Sequence, residues 1–198
     1  MSMRTLILTC LLLTVPGASS AAEAKNTSKF LGSFGAWNAY ASSDNGQPMC
    51  YMALRTHGAT SKKLKRGSVW LTITHRPAEN SKDVLSYTSG YNFKPGSDVQ
   101  MRIGRDNFSL FTQKDTAWSR DAMTDHAIAT DIRKNTSLVV AGVPAGKGAG
   151  AITDTVEIKG AAAAYQAIGK ACNVPVAALA KAPPSPAKAP RPAKKKLK

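Results

Sequence analysis

The sequence predicts a mainly β fold, an antiparallel β-sandwich or barrel of about eight strands with a C-terminal α-helix packed on it. Three observations carry that prediction. Short runs alternate apolar and polar residues with the period of half-buried strands. Turn-forming residues punctuate the runs at strand-length intervals. One alanine-rich segment near the end instead carries its apolar residues at three-to-four-residue steps, the spacing of a helix face.

Taken in order, the runs are 34–40, 49–56, 68–74, 83–89, 99–103, 108–113, 138–142 and 152–159. The third is the clearest. Val69, Leu71 and Ile73 fall on one face of it and Trp70, Thr72 and Thr74 on the other, until Arg76-Pro77 ends it. Asp44-Asn45-Gly46, Lys94-Pro95-Gly96, Gly104-Arg105-Asp106-Asn107 and the segment 143–150 supply the turns. A helix is predicted over 119–134, with Ser119 as its N-cap and a thin stripe of Ala122, Ile128, Ala129 and Ile132. A second is predicted over 160–172, where Ala161, Tyr165, Ile168 and Cys172 share one stripe and Pro175 follows as a stop.

Residues 1–22 have the layout of an export signal. Arg4 gives a positive start, Leu6-Ile7-Leu8 and Leu11-Leu12-Leu13 an apolar centre, and Ser20-Ala21-Ala22 a small-residue cleavage site. The apolar stretch is about a dozen residues, short of the ~20 that span a bilayer. Ile7-Leu8-Thr9-Cys10 faintly resembles a lipidation site, but Cys10 precedes most of the apolar region and is expected to leave with the signal. What remains fits one domain over 23–178 and a basic tail over 179–198.

Cleavage leaves two cysteines, Cys50 and Cys172. In an oxidising compartment the simplest reading is one disulfide pinning the C-terminal helix to the second strand. By chain entropy such a bridge contributes at most about 5 kcal/mol. A redox pair would show Cys-x-x-Cys and a zinc site clustered histidines, and the chain has neither pattern.

The net charge of +15 drops to +14 when Arg4 is lost, and half of that lies in the tail on Lys181, Lys188, Arg191, Lys194, Lys195, Lys196 and Lys198. Five prolines between 183 and 192 and little apolar matter predict an extended, unpacked segment. Such a run binds polyanions. Export removes nucleic acid as the target and leaves envelope polyanions, including acidic lipid headgroups at a peripheral membrane contact, as the expected partners. A purely solubilising tail and a specific partner motif remain the alternatives. The cluster Lys62, Lys63, Lys65 and Arg66 reads as a solvated loop.

Other patterns are weaker. Gly142, Gly146, Lys147 and Gly148 follow a strand, but a phosphate loop needs four residues between its glycines, a hydroxyl after the lysine and a helix beyond. His57, His75 and His126 lack metal-ligand spacing, so neither metal nor cofactor is expected. Asn26-Thr27-Ser28, Asn107-Phe108-Ser109 and Asn135-Thr136-Ser137 match a glycosylation pattern that matters only in a eukaryotic secretory route. Asp125-His126, with Asp121 and Asp131 nearby, offers a base and its orienter and Ser119 a nucleophile, the parts of a small periplasmic hydrolase, although these acids more simply decorate the polar face of a short helix. Trp37, Trp70 and Trp118 with the tyrosines serve either as core or as an aromatic ligand platform. Trp70, opposite Val69, Leu71 and Ile73, is the one expected at the surface.

Phe34-Gly35-Ala36-Trp37, then Cys50-Tyr51, Val69-Trp70-Leu71 ending in His75-Arg76-Pro77, and the closing segment to Cys172 resemble the invasion-associated locus B family of Gram-negative envelope proteins. The similarity covers about residues 30–174 and omits signal and tail. It implies a β-rich exported domain in the periplasm, outer membrane or cell surface, linked in some members with host-cell invasion, and it supplies no catalytic residues. The expectation is therefore a non-enzymatic module that binds envelope polyanions or another envelope or host protein.

Overall fold

A computed structural model describes residues 28–58, 66–146 and 150–176. Residues 1–22, expected to be an export signal, with Cys10 among them, the cluster residues Lys62, Lys63 and Lys65, Lys147 with Gly148, and all seven basic tail residues lie outside these.

Alternating residues dictate the strands, and ten of them form among the described residues: β1 (Lys29–Phe34), β2 (Trp37–Asp44), β3 (Gln47–Thr56), β4 (Val69–Arg76), β5 (Ser81–Thr88), β6 (Val99–Ile103), β7 (Asp106–Gln113), β8 (Thr116–Trp118), β9 (Ser137–Gly142) and β10 (Ile152–Glu157). The eight expected runs correspond to β2–β7, β9 and β10. The additions are β1, which carries a register shift between Phe30 and Gly32, and the three-residue β8.

All pairings are antiparallel in one sheet of order β1-β2-β3-β4-β5-β8-β7-β6-β9-β10. The sheet curls on itself. β7 gives residues 106–110 to β6 and 111–113 to β8, so the ladder turns a corner along that strand. The two ends of the order then approach one another: the Ala36 N–H donates to the Lys159 carbonyl at 3.0 Å, and the Trp37 Nε1–H to the Ile158 carbonyl at 3.1 Å. Only glycine fits that seam, because a Cβ on Gly160, whose φ is +92°, would lie 2.0 Å from the Phe34 carbonyl oxygen.

Inside lies one apolar core that includes Trp37, Met52, Leu71, Ile73, Leu85, Met101 and Leu110, all fully buried. Helix α1 (Ala122–Lys134) packs on β5 and β6, and α2 (Ala161–Ala171) packs on β1–β3 and on α1. The N-cap of α1 is Asp121 rather than Ser119. Its carboxylate accepts the Thr124 N–H at 2.8 Å, and that bond together with the Thr124 hydroxyl holds it below the usual carboxylate range. Ala161, Ala164, Tyr165 and Ile168 form the buried stripe of α2, and Cys172 closes the helix as its C-cap. The sulfur of Cys172 is bonded to that of Cys50 on β3, across a Cα separation of 5.9 Å.

Candidate functional site

Strand periodicity sends alternate side chains of β1–β5 outward, and several of them are aromatic. Phe30, Tyr40 and Tyr51 are register partners on three neighbouring strands. Their rings form a ladder, the first pair tilted by 56° with centroids 5.5 Å apart and the second stacked at 4.9 Å. Farther along the same face, Arg55, Trp70, Thr88 and Thr116 are successive partners across β3, β4, β5 and β8. Trp70 is 41% exposed, as its position opposite the apolar stripe of β4 predicted. On the β3 flank, the Arg55 guanidinium sits 5.5 Å from the indole centroid and donates to the Ser68 hydroxyl from Nε at 3.0 Å and Nη2 at 2.8 Å.

On the β5 flank the surface sinks into an open depression of about 530 Å³. Gly67 and Gly90 form its floor, Trp70 its wall, and Thr88, Asn92 and Asp115 its polar edge. The floor exists because two backbones touch there. The Gly67 N–H donates to the Gly90 carbonyl at 2.8 Å, and a Cβ on Gly90, at φ +75°, would stand 2.5 Å from the Gly67 oxygen. The edge is tied down as well: Ser89 donates its N–H to the Asp115 carbonyl at 2.9 Å and its hydroxyl to the Tyr91 carbonyl at 2.6 Å.

Beneath the depression lies a charged hub that the sequence did not announce. Arg66 is no solvated loop residue; its side chain is 1% exposed. It donates to both carboxylate oxygens of Asp154 on β10, to the Ser89 carbonyl at 2.6 Å, and weakly to the Tyr87 hydroxyl. It also lies 5.0 Å from the Tyr91 ring centroid. Tyr87 in turn donates to Asp154. Burial alone would favour a neutral guanidinium, but the Asp154 hydrogen bonds and charge outweigh it and raise the Arg66 pKa. Burial pushes the Tyr91 phenol up to about 12 and the Tyr87 phenol higher still, so both stay protonated.

A second polar cluster joins the helices to the sheet. Asp83 on β5, fully buried at φ +65°, accepts from the Tyr165 hydroxyl of α2 and lies 2.7 Å from His126 Nδ1 of α1, while its own N–H donates to His75 Nδ1 at 3.1 Å. His75 faces the Tyr165 ring edge-on at 5.2 Å, and its buried Nε2 makes no hydrogen bond. Burial lowers the His75 pKa, partly countered by Asp83, and raises that of Tyr165, where the bond to Asp83 adds to the effect.

The hydrolase parts are not assembled as the sequence suggested. Adjacent helical residues diverge by about 100°, so Asp125 and His126 point apart. Asp125 accepts the Leu85 N–H at 2.9 Å, and burial raises its pKa, whereas His126 pairs with Asp83. Ser119 donates to the Asp121 carbonyl at 3.3 Å. Among the described residues, no group of three His, Cys, Asp or Glu side chains is placed to hold a metal ion, and no helix is long and apolar enough to cross a membrane. Trp37 is core, with its indole N–H bonded to Ile158.

The sequence model of one family, described as invasion associated locus B protein, matches residues 37–169. In three dimensions the chain is similar to invasion associated protein B from Bartonella henselae, with a TM-score of 0.51 and 13% identity over 72% of this chain and 94% of that one. At that identity the likeness speaks for the fold alone. No curated protein matches the chain.

Proposed function

The chain belongs to the invasion associated locus B family, and from that premise we propose that it is an exported, non-enzymatic binding module of the bacterial envelope. Its partners are envelope polyanions or another envelope or host protein, through which it supports host-cell invasion or envelope integrity. The observation that carries this reading is the outer face of β1–β5: Phe30 and Trp70 stand exposed, with Tyr40 and Tyr51 half-buried between them, on a sheet whose inner face is filled by core and helices. The basic residues from Lys181 to Lys198 add an electrostatic tether to anionic envelope surfaces. The signal-like layout of residues 1–22 supports a location in the periplasm, at the outer membrane or on the cell surface. Crosslinking in the native envelope tests this reading. Partner capture should fall in a chain ending at Ala180 at low salt and fall further when Trp70→Ala is added. Equal capture by all three chains would refute it.

The hydrolase reading retains one favourable observation, the exposed His126 ring oriented by the buried Asp83 carboxylate. It lacks a nucleophile poised at that ring, since the Ser119 hydroxyl is turned to Asp121. Assays with p-nitrophenyl esters decide between the two. The binding-module reading expects no turnover, and turnover abolished by His126→Ala would replace it with the enzyme.

A further inference from the structure

We propose that the depression beside Trp70 is a glycan-binding subsite that takes a pyranose ring from an uncharged or amino-bearing saccharide. The inference deepens the binding-module reading and rests on it.

A pyranose presents two kinds of surface at once, an apolar face of C–H groups and an equatorial rim of hydroxyl or amide groups. The depression matches both. Trp70 brings an apolar ring to the lining, and Thr88, Asn92 and Asp115 bring groups able to meet a rim of donors and acceptors; the Thr116 hydroxyl links two of them, 3.1 Å from that of Thr88 and donating to the Asp115 carboxylate at 3.2 Å. An apolar metabolite is a poor occupant, because the site is open and Ser68, Thr88, Asn92 and Asp115 make its lining mostly polar. A phosphate or carboxylate ligand would meet the Asp115 carboxylate. The open shape suits one residue of a polymer entering from the surface.

The subsite is also held in its binding shape. Arg55 pins the indole from the β3 flank, Gly67 and Gly90 leave the floor free of side chains, and Arg66 locks the Ser89–Tyr91 segment from below. A wall and floor fixed before binding reduce the ordering cost that weakens carbohydrate recognition on mobile loops. Arg55 and Arg66 are thus positioning residues, while Trp70, Asn92 and Asp115 are assigned to contact the sugar.

The test is an NMR titration of the full mature chain with three probes that carry no anionic group: the N-acetylglucosamine trimer, the glucosamine trimer and maltotriose. The expected result is saturable binding, millimolar or tighter, to at least one probe. The Trp70 indole N–H should shift, and that of Trp37, buried and bonded to Ile158, should stay fixed. Which probe binds tightest identifies whether an N-acetylated, an amino-bearing or a plain hydroxylated sugar is taken. Trp70→Ala should weaken binding at least about tenfold, Trp70→Phe less, and Asp115→Asn measurably, with the urea midpoint of each variant reporting that the domain still folds. Phe30→Ala, on the same face but outside the depression, should bind like the parent. No saturable binding to any probe, parent-like affinity in Trp70→Ala, or equal loss in Phe30→Ala would overturn the assignment. Envelope capture that persists without glycan binding would overturn this subsite and leave the wider reading standing.

Discussion

Arg66 and Asp154 are 88 residues apart in sequence, yet they form a two-pronged ion pair inside the domain, where the loop before β4 meets β10. The pair holds the curled sheet shut on the side where Trp70 is displayed. Removing one partner leaves a buried charge without its counterion, so Arg66→Met and Asp154→Leu should each cost about 3–5 kcal/mol in urea denaturation. Arg66→Lys should recover only part of that, because an ammonium cannot make the forked contact.

The Cys50–Cys172 bridge constrains a loop of 122 residues and ties α2 to β3. Reduction, or the double change to serine, should lower unfolding free energy by about 3–5 kcal/mol. Proteolysis of the reduced domain should begin near α2, the element released.

Gly90→Ala puts a Cβ 2.5 Å from the Gly67 carbonyl at a backbone angle that only glycine adopts without strain. The expected cost is about 1–3 kcal/mol in thermal or urea unfolding. A stability equal to the parent would show that the two loop backbones do not form the fixed floor described here.

Acid should weaken the fold through His75. Its folded pKa lies below the ordinary 6.5, with burial as the main cause, so the unfolded chain binds the extra proton first. Stability is therefore complete above about pH 6.5 and declines as pH falls toward the folded value. The groups facing the ring act in both directions, Asp83 favouring the charged form and Lys82 opposing it. Asp125 runs the other way, since its raised pKa makes the folded state the better proton acceptor from about pH 3.8 upward. The urea midpoint followed from about pH 7.5 to about pH 5 should drop in the parent and drop less steeply in His75→Gln.

Alternation made most of the sheet legible. β4 shows why: its inward Val69, Leu71 and Ile73 and its outward Trp70 are read directly from the period of two. β8 was hidden because three residues are too short for any period, and β1 because its ladder slips at Gly32. The α2 stripe was visible for the same reason, a repeating spacing, and the cysteine partner because residues 23–198 hold only two cysteines. The polar clusters were not. Arg66 follows three lysines within five residues and looks like one more solvated cation, and its acid lies on a strand far along the chain. His126 was paired in expectation with its neighbour Asp125, but helix geometry separates neighbours and delivered Asp83 instead. Local patterns report which face a residue occupies, whereas partners across the fold are set by how the sheet closes.

One measurement bears most directly on an exported domain stapled through its last helix: intact-mass and peptide analysis of the chain purified from its native envelope, alkylated without reduction. The account predicts a chain beginning at Glu23, with Cys50 and Cys172 joined in one cross-linked peptide pair. A chain still carrying residues 1–22, with both thiols alkylated, would contradict it.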